Sequence, residues 1–320
     1  MASGGGARLD LRVEALRCEA ERVISVELRR PDGCDLPAFT AGAHIDLYLP
    51  NRLVRSYSLV NSEADRARYL IAVALDRDSR GGSRWLHEAL RVGDRLLVGA
   101  PQNDFALVEE ARHSLLIAGG IGITPLWSMI QRLVALGRSW ELVYGARTRG
   151  VAAFYAKLGA LQAQGAAIEF AFDGEPGGAM PDVAALVARV AQGTELYCCG
   201  PRPMLDAFEA ATQGRGRAHV EYFKPKDAPA PIGGFTVRLA RAGRSIAVPP
   251  GQSVLEALEI AGLTAPFSCR EGLCGSCETV VLEGEPDHRD TVLSERERAA
   301  NRTIMICCSG SKTDPLVLDL

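Results

Sequence analysis

Cys269-Arg270-Glu271-Gly272-Leu273-Cys274-Gly275-Ser276-Cys277, answered thirty positions later by Cys307, is the stretch from which the rest of this 320-residue chain can be read. Three thiols at C-x4-C-x2-C spacing with a single distant fourth form the plant-type ligand pattern of a [2Fe–2S] cluster. Small residues surround them (Ser268, Gly272, Gly275, Ser276), letting the backbone wrap closely and point N–H groups at sulfur. Leu273 is placed to shield the centre from water. The rival for four thiols is structural zinc, but zinc motifs pair one C-x2-C with another close pair, and here the fourth thiol stands alone. Cys308 is one residue off register. On a strand over 303–307 its side chain points to the opposite face from Cys307. Cys18 and Cys34 belong to no motif and read as packing residues.

A one-electron centre needs a source and a sink, and the bulk properties narrow both. Apolar residues make up 47% of the chain, enough to bury full cores in two or three domains. The formal net charge is −3, so the basic footprint of a nucleic-acid binder is missing. No apolar run is long enough for a membrane helix, and Met1-Ala2-Ser3-Gly4-Gly5-Gly6 reads as a loose leader rather than an export signal. Nine cysteines without such a signal point to cytoplasmic redox or metal chemistry rather than disulfides.

Residues 1–108 alternate apolar and polar side chains in short runs (9–13, 23–28, 44–49, 69–75, 95–98) punctuated by Pro31-Asp32-Gly33, Pro50-Asn51 and Val92-Gly93-Asp94. This is the pattern of an antiparallel barrel or sandwich. One helix is expected over 83–90, with Ser83 as N-cap and Trp85, Leu86, Ala89 and Leu90 facing inward. Two stretches can carry chemistry. Arg55-Ser56-Tyr57-Ser58, placed just after a strand, offers a guanidinium, hydroxyls and a flat ring. Arg80-Gly81-Gly82-Ser83 offers freed backbone at the start of the helix. Together they favour a phosphate-bearing cofactor.

Residues 109–224 change period. The apolar run Ser114-Leu115-Leu116-Ile117-Ala118 enters Gly119-Gly120-Ile121-Gly122-Ile123-Thr124-Pro125, then a helix with Leu126, Ile130, Leu133, Val134 and Leu136 on one face. Thr124 reads as N-cap, Pro125 as first helical residue and Gly137 as terminator. Further strands at 141–146, 168–172, 195–198 and 218–223 alternate with helices at 151–164, 182–192 and 204–212. That is a parallel α/β sheet, whose ligands lie at strand C-termini. Two such ends stand out: the glycine turn above, and Cys199-Gly200-Pro201-Arg202-Pro203-Met204. Cys198 reads as a small buried hydrophobe; Cys199, at the strand end, is balanced between packing and site.

A Pro/Gly-rich linker over 225–233 leads to a small β-rich domain over 234–320. Its hairpin spans 235–248 and a short helix 254–261, with Ser253 as N-cap.

In this order, Arg55-Ser56-Tyr57-Ser58, Gly81-Gly82-Ser83, the glycine turn 119–125, Cys199-Gly200-Pro201 and the cysteine loop resemble the phthalate dioxygenase reductase-type family. Vanillate demethylase reductases and similar partners of Rieske oxygenases belong to the same group. The resemblance spans nearly the whole chain. It implies a multi-domain fold: an antiparallel flavin-binding β-barrel, an α/β parallel-sheet NAD domain of the ferredoxin-NADP reductase type, and a β-grasp [2Fe–2S] ferredoxin domain. By the same resemblance Arg55 would hold the flavin phosphate, with Ser56 beside it in the same segment. Tyr57 and Ser58 would contact the isoalloxazine, backbone at Ala72, Val73 and Ala74 would line the ring, and Gly81, Gly82 and Ser83 would cradle the phosphate. Gly120, Thr124, Cys199, Gly200 and Met204 would border the nicotinamide nucleotide. Phe223 would cover the flavin, and Cys269, Cys274, Cys277 and Cys307 would ligate the cluster.

The Gly-Gly-Ser turn and Pro101-Gln102-Asn103-Asp104-Phe105 look like FMN-type members, with FAD the alternative. The family leans to NADH; Arg147 and Arg149, after the second strand of the sheet, leave NADPH open. The implied activity is an NAD(P)H-dependent electron relay to a terminal Rieske-type oxygenase, by a monomeric protein with no nucleic-acid or membrane partner. A di-iron monooxygenase acceptor and a non-enzymatic electron carrier are the competing readings. The intact glycine turn and Cys199-Gly200-Pro201 speak against the carrier.

Overall fold

A computed structural model describes residues 8–51, 53–77, 79, 81–223, 233–267, 270–272 and 275–320. The leader, Arg80, most of the 225–233 linker, and the expected ligands Cys269 and Cys274 lie outside the described residues. The chain divides into two compact units, one over Ala7–Glu221 and one containing Tyr222–Leu320.

The first unit begins with six antiparallel strands: β1 (Leu9–Ala20), β2 (Val23–Arg29), β3 (His44–Tyr48), β4 (Val54–Ser58), β5 (Tyr69–Ala74) and β6 (Arg95–Val98), with helix α1 (Gly82–Glu88) before β6. Their order is β4-β3-β6-β1-β2-β5, and a bridge between Leu59 and Ile71 joins the two edges into a barrel. Period-two alternation sends Leu11, Val13, Val26, Leu28, Ile45 and Leu47 into one core.

Arg55-Ser56-Tyr57-Ser58 is not a loop after a strand. It is β4 itself, paired with β3 from Arg55–Leu47 to Ser58–His44. Helix α1 also differs from expectation. Gly81, at φ 98°, is its N-cap, and Ser83 lies inside the helix. Ser79 does the capping instead: its Oγ accepts from the N–H groups of Gly81 and Arg84, both at 3.2 Å. Leu86 and Leu90 face inward as expected, whereas Ala89 is exposed. Cys18 and Cys34, expected as packing residues, are exposed.

The second part of this unit comprises β7 (His113–Gly119), α2 (Ile123–Ala135), β8 (Ser139–Ala146), α3 (Tyr155–Ala163), β9 (Ala167–Phe172), α4 (Val183–Arg189), β10 (Glu195–Cys199), α5 (Arg202–Thr212) and β11 (Ala218–Glu221). All five strands are parallel, in the order β11-β10-β7-β8-β9. Central β7 is buried on both faces, which explains its unbroken apolar run. A single-turn 3₁₀ helix at Gly120–Gly122 precedes α2, so Gly122 rather than Thr124 caps it. Leu126, Ile130 and Leu133 are buried as expected; Val134 and Leu136 sit at the rim, 49% and 36% exposed. Gly137 ends the helix at φ 63°.

Barrel and sheet share a core in which Ala41, Val60, Ala72 and Phe105 pack with Leu116, Ile123, Met129 and Tyr197. Gly42 N–H donates to Ser128 Oγ at 3.0 Å, and Gln131 Nε2 donates to the Val60 carbonyl at 2.9 Å.

The second unit holds β12 (Phe235–Leu239), β13 (Arg244–Val248), α6 (Val254–Ile260), β14 (Glu278–Glu283), β15 (Pro286–Asp287), α7 (Glu295–Ala300), β16 (Thr303–Met305), β17 (Gly310–Ser311) and β18 (Leu316–Leu318). The main sheet runs β13-β12-β18-β14-β16, with β12 and β18 parallel and the other pairs antiparallel. This mixed sheet with α6 in its core is a β-grasp fold. Ser253 caps α6 in a full capping box with Glu256. Strand β16 stops at Met305, so Cys307 and Cys308 lie in a turn and not on a strand.

Candidate cofactor sites

The two barrel stretches come together in the fold. The Arg55 side chain lies over Gly82: a Cβ there would stand 2.8 Å from Arg55 Cγ and 2.9 Å from Nε. Arg55 Nη1 donates to its neighbour's carbonyl at Val54, and no carboxylate pairs with it among the described residues. A half-buried guanidinium without a counterion, laid across a glycine turn, is a cradle for an anion. Ser58 is 4% exposed and its Oγ has no hydrogen-bond partner among the described residues. Buried polar atoms are rarely left so, and this one fits a ligand group. Tyr57, on the same side of β4 as Arg55, is half-buried. Ser56 is exposed, and its hydroxyl is taken up by Asp46 Oδ1 at 2.6 Å. Ser83 Oγ is likewise engaged, donating to Ser79 Oγ at 3.0 Å and accepting from Asp76 N–H at 3.3 Å.

The parallel sheet reverses strand order between β7 and β10, and its crevice opens at their C-terminal ends. There the backbones nearly touch. A Cβ on Gly119 would meet Pro201 Cδ at 2.3 Å; one on Gly122 would meet the Cys199 carbonyl oxygen at 2.1 Å. Gly120, at φ 53°, faces open space. Met204, 5% exposed, sets its sulfur beneath both turns, near Gly119 and Gly200. Thr124 is buried and donates its hydroxyl to the Ile121 carbonyl at 2.9 Å, so it shapes the turn from within. Barrel strand β5, carrying Ala72, Val73 and Ala74, adjoins the Gly120–Gly122 turn. The barrel and the sheet thus present their sites side by side.

In the second unit, pairing of β14 with β16 sets Glu278 opposite Met305. This register carries Cys277 and the Cys307 turn together, thirty residues apart in sequence. Ile306 N–H donates to the Cys277 carbonyl at 3.5 Å, and both Cys277 and Cys307 are buried. Gly272 and Gly275 adopt φ 71° and 76°, a wrap that side chains resist. Cys308 is not turned away from this loop. Its thiol is buried against Gly272, where a Cβ would stand 2.4 Å from Cys308 Sγ.

The family described as "Oxidoreductase NAD-binding domain" matches residues 116–210, and "2Fe-2S iron-sulfur cluster binding domain" matches residues 237–311. The chain is 53% identical to "Phenoxybenzoate dioxygenase subunit beta" of Ectopseudomonas oleovorans, covering 98% of each chain. It is 50% identical to "Tetrachlorobenzoquinone reductase" of Sphingobium chlorophenolicum, again over 98% of each. Among solved structures, phthalate dioxygenase reductase superposes with a TM-score of 0.80 at 38% identity, over 99% of this chain and 98% of that one. The chain belongs to the phthalate dioxygenase reductase family. It is an NAD(P)H-dependent iron–sulfur flavoprotein oxidoreductase.

The residues of this reductase fit those groups: an Arg55 with no carboxylate partner among the described residues, laid over glycine for a phosphate, an open glycine turn for a dinucleotide, and buried thiols beside positive-φ glycines for the cluster. Sequence reasoning missed one further residue. Glu221, at the end of β11, stands in register with Cys199 on β10. Its Oε2 is buried without a partner among the described residues. Burial, with Asp104 adding a like charge, pushes its carboxyl up to about 8. Burial, with Glu221 and Cys198 alongside, pushes the Cys199 thiol well above its usual range. At neutral pH the crevice floor is therefore an uncharged thiol beside an uncharged carboxyl. Only the pairing of β10 with β11 signals this, and pairing is not written in local sequence. Phe223, two residues past β11, is 39% exposed. No helix among the described residues is long and apolar enough to cross a membrane.

Proposed function

We propose that the chain is the reductase component of a two-component, Rieske-type oxygenase system, drawing electrons from NADH through FMN and a [2Fe–2S] cluster to a separate terminal oxygenase. The observation that carries this reading is that strand β5 adjoins both β4 and α1, which form the Arg55–Gly82 cradle, and the Gly120–Gly122 turn. When bound, the flavin takes an electron pair from the nicotinamide and releases it singly to the cluster. Arg55 holds the phosphate, the buried hydroxyl of Ser58 meets the ring, and Ser56 contributes backbone. Gly120 and Gly200 let the nucleotide approach closely. The neutral Cys199 and Glu221 exclude fixed charge from where the nicotinamide stacks. Phe223 covers the flavin, and Cys269, Cys274, Cys277 and Cys307 ligate the iron.

FMN is favoured by the Gly81-Gly82-Ser83 turn beneath Arg55 and by Pro101-Gln102-Asn103-Asp104-Phe105, both of which look like those of FMN-type members. NADH is favoured by the acidic residues that follow β9. Arg147 pairs with Asp173 and Arg149 with Glu175, each at 3.3 Å. Both arginines that could meet a 2′-phosphate are occupied, and carboxylates stand there to accept from a ribose hydroxyl. The division into 1–108, 109–224, a linker over 225–233 and 234–320 is supported by the three large sheets, each of which falls wholly inside one of those bounds. A monomeric, cytoplasmic protein follows from the family reading.

The test is reconstitution. Purified protein should release FMN, bleach with NADH much faster than with NADPH, and drive product formation by a Rieske oxygenase. Electrons that bypass every oxygenase and reach only small quinones would favour a second reading, quinone reduction, for which the 50% identical tetrachlorobenzoquinone reductase speaks.

A further inference from the structure

Behind Gly272 lies a buried carboxyl group that the electron relay does not by itself require. Asp290 has a fully buried side chain, with His288 8% and Arg298 31% exposed. Asp290 Oδ2 accepts from the N–H groups of Val292 and Leu293 at 3.0 and 2.8 Å. Arg298, on α7, donates to the Asp290 carbonyl but keeps its guanidinium 3.9 Å from the carboxylate. His288 Nδ1 also stops 3.9 Å short of Oδ1. Asp290 Oδ1, His288 Nδ1 and Arg298 Nε all lack hydrogen-bond partners among the described residues. A buried carboxylate so loosely compensated is a poor device for stability.

Its surroundings suggest another use. The next residue, Thr291, donates both N–H and Oγ1 to the carbonyl of Gly272, at 2.9 and 3.3 Å. Gly272 sits between Cys269 and Cys274, and a Cβ on it would collide with Asp290 Cα at 3.0 Å and Cys308 Sγ at 2.4 Å. Arg289 N–H donates to Ser309 Oγ at 3.1 Å, two residues past Cys307. The 288–298 segment therefore holds Gly272, within the three-cysteine stretch, on one side and Ser309, beside the turn of the fourth cysteine, on the other.

We propose that Asp290 is a positioning residue of the iron–sulfur site. Through Thr291 it fixes the cysteine loop against the Cys307 turn, and its buried carboxylate, only partly offset by Arg298, holds the reduction potential down. A negative charge next to a centre that gains an electron opposes the gain, most strongly where water is excluded. Arg298 opposes that influence. The proposal rests on the four cysteines being the ligands.

The experiment is redox titration of the purified full chain, followed by electron paramagnetic resonance and visible absorbance. Asp290→Asn keeps an acceptor for Val292 and Leu293 but removes the charge. At the wild-type midpoint potential it should shift the reduced-to-oxidised ratio upward by roughly threefold or more. Arg298→Gln should shift it in the opposite direction. Iron content and the resonance line shape should stay as in wild type. An unmoved midpoint in cluster-loaded Asp290→Asn, or a shift of the same sign in both variants, overturns the proposal. If Asp290→Asn cannot hold a cluster, Arg298→Gln decides: a lowered midpoint supports it, an unchanged one sinks it. A wild-type chain that binds no cluster would instead overturn the ligand reading beneath it.

Discussion

Glu221 and Gly82 are the residues whose chemistry is most exposed to test. The Glu221 carboxyl, raised to about 8, is protonated in the fold at neutral pH and ionised in the unfolded chain. Between the ordinary carboxylate range, near 4.5, and about 8 the native state therefore binds more protons than the unfolded one. Its contribution to stability is fully present at low pH and is lost as pH rises through that window. Glu221→Gln stays uncharged throughout, so its melting temperature should gain on wild type as pH rises and level off above about 8. Parallel melting curves from pH 5 to 9 would show that the carboxyl is not buried as described. Gly82 lies outside the left-handed region, so its backbone accepts a side chain, and the three atoms nearest to an added Cβ all belong to Arg55. Gly82→Val should displace that guanidinium and weaken flavin binding by about tenfold or more, the cost of a charge-assisted contact. Iron content should not change, and flavin retained after gel filtration is the readout.

At the scale of elements, strand β2 carries a charge network on its outer face. Glu27 is 3% exposed, yet Arg17, Arg29 and Arg68 all reach it, at 2.9, 2.8 and 3.1 Å. Burial raises its carboxyl, but hydrogen bonds from Arg29, Arg17 and Arg68 outweigh this and hold it near 2. Its contribution is thus complete above the unfolded value near 4.5 and disappears as pH falls through about 2. Glu27→Gln should lower stability by roughly 1–2 kcal/mol at pH 7, since it leaves three arginines without their anion. Denaturant midpoints should converge with wild type as acid is added. Elements also show where local signals suffice. Ser253 and Glu256 form their capping box within four residues, so α6 was legible from sequence. Ser294 and Glu297 box α7 in the same way, through an S-x-x-E signal that is equally local. Ser83 and Thr124 misled because preceding residues start those helices. Ser79 reaches over to cap α1, and a 3₁₀ turn at Gly120–Gly122 leads into α2.

For the whole molecule, the two compact units imply separable stability. Cys307→Ser should abolish cluster binding, whereas Cys308→Ser should retain about two irons per chain, as a plant-type site does. Cys307→Ser should also lower the melting transition of the Tyr222–Leu320 unit while leaving that of Ala7–Glu221 in place. Calorimetry with iron analysis reads both. If Cys308→Ser loses iron and Cys307→Ser does not, the ligand assignment is reversed.

Cys308 marks where sequence reasoning reached its limit. A strand through 303–307 predicted a thiol pointing away; the turn after Met305 instead presses it onto Gly272. Thiol spacing, glycine turns and hydrophobic period pointed to an antiparallel β region, a parallel α/β sheet, an iron–sulfur centre and a phosphate-bearing cofactor, because these depend on residues a few positions apart; the flavin and the β-grasp domain followed from the family resemblance. The tertiary structure decided what depends on pairing. It laid Arg55 over Gly82, set Glu221 beside Cys199, joined Cys277 to the Cys307 turn, and buried Asp290 behind Gly272. Those contacts join residues from about twenty to thirty positions apart, and only strand register and core packing choose which distant side chains meet.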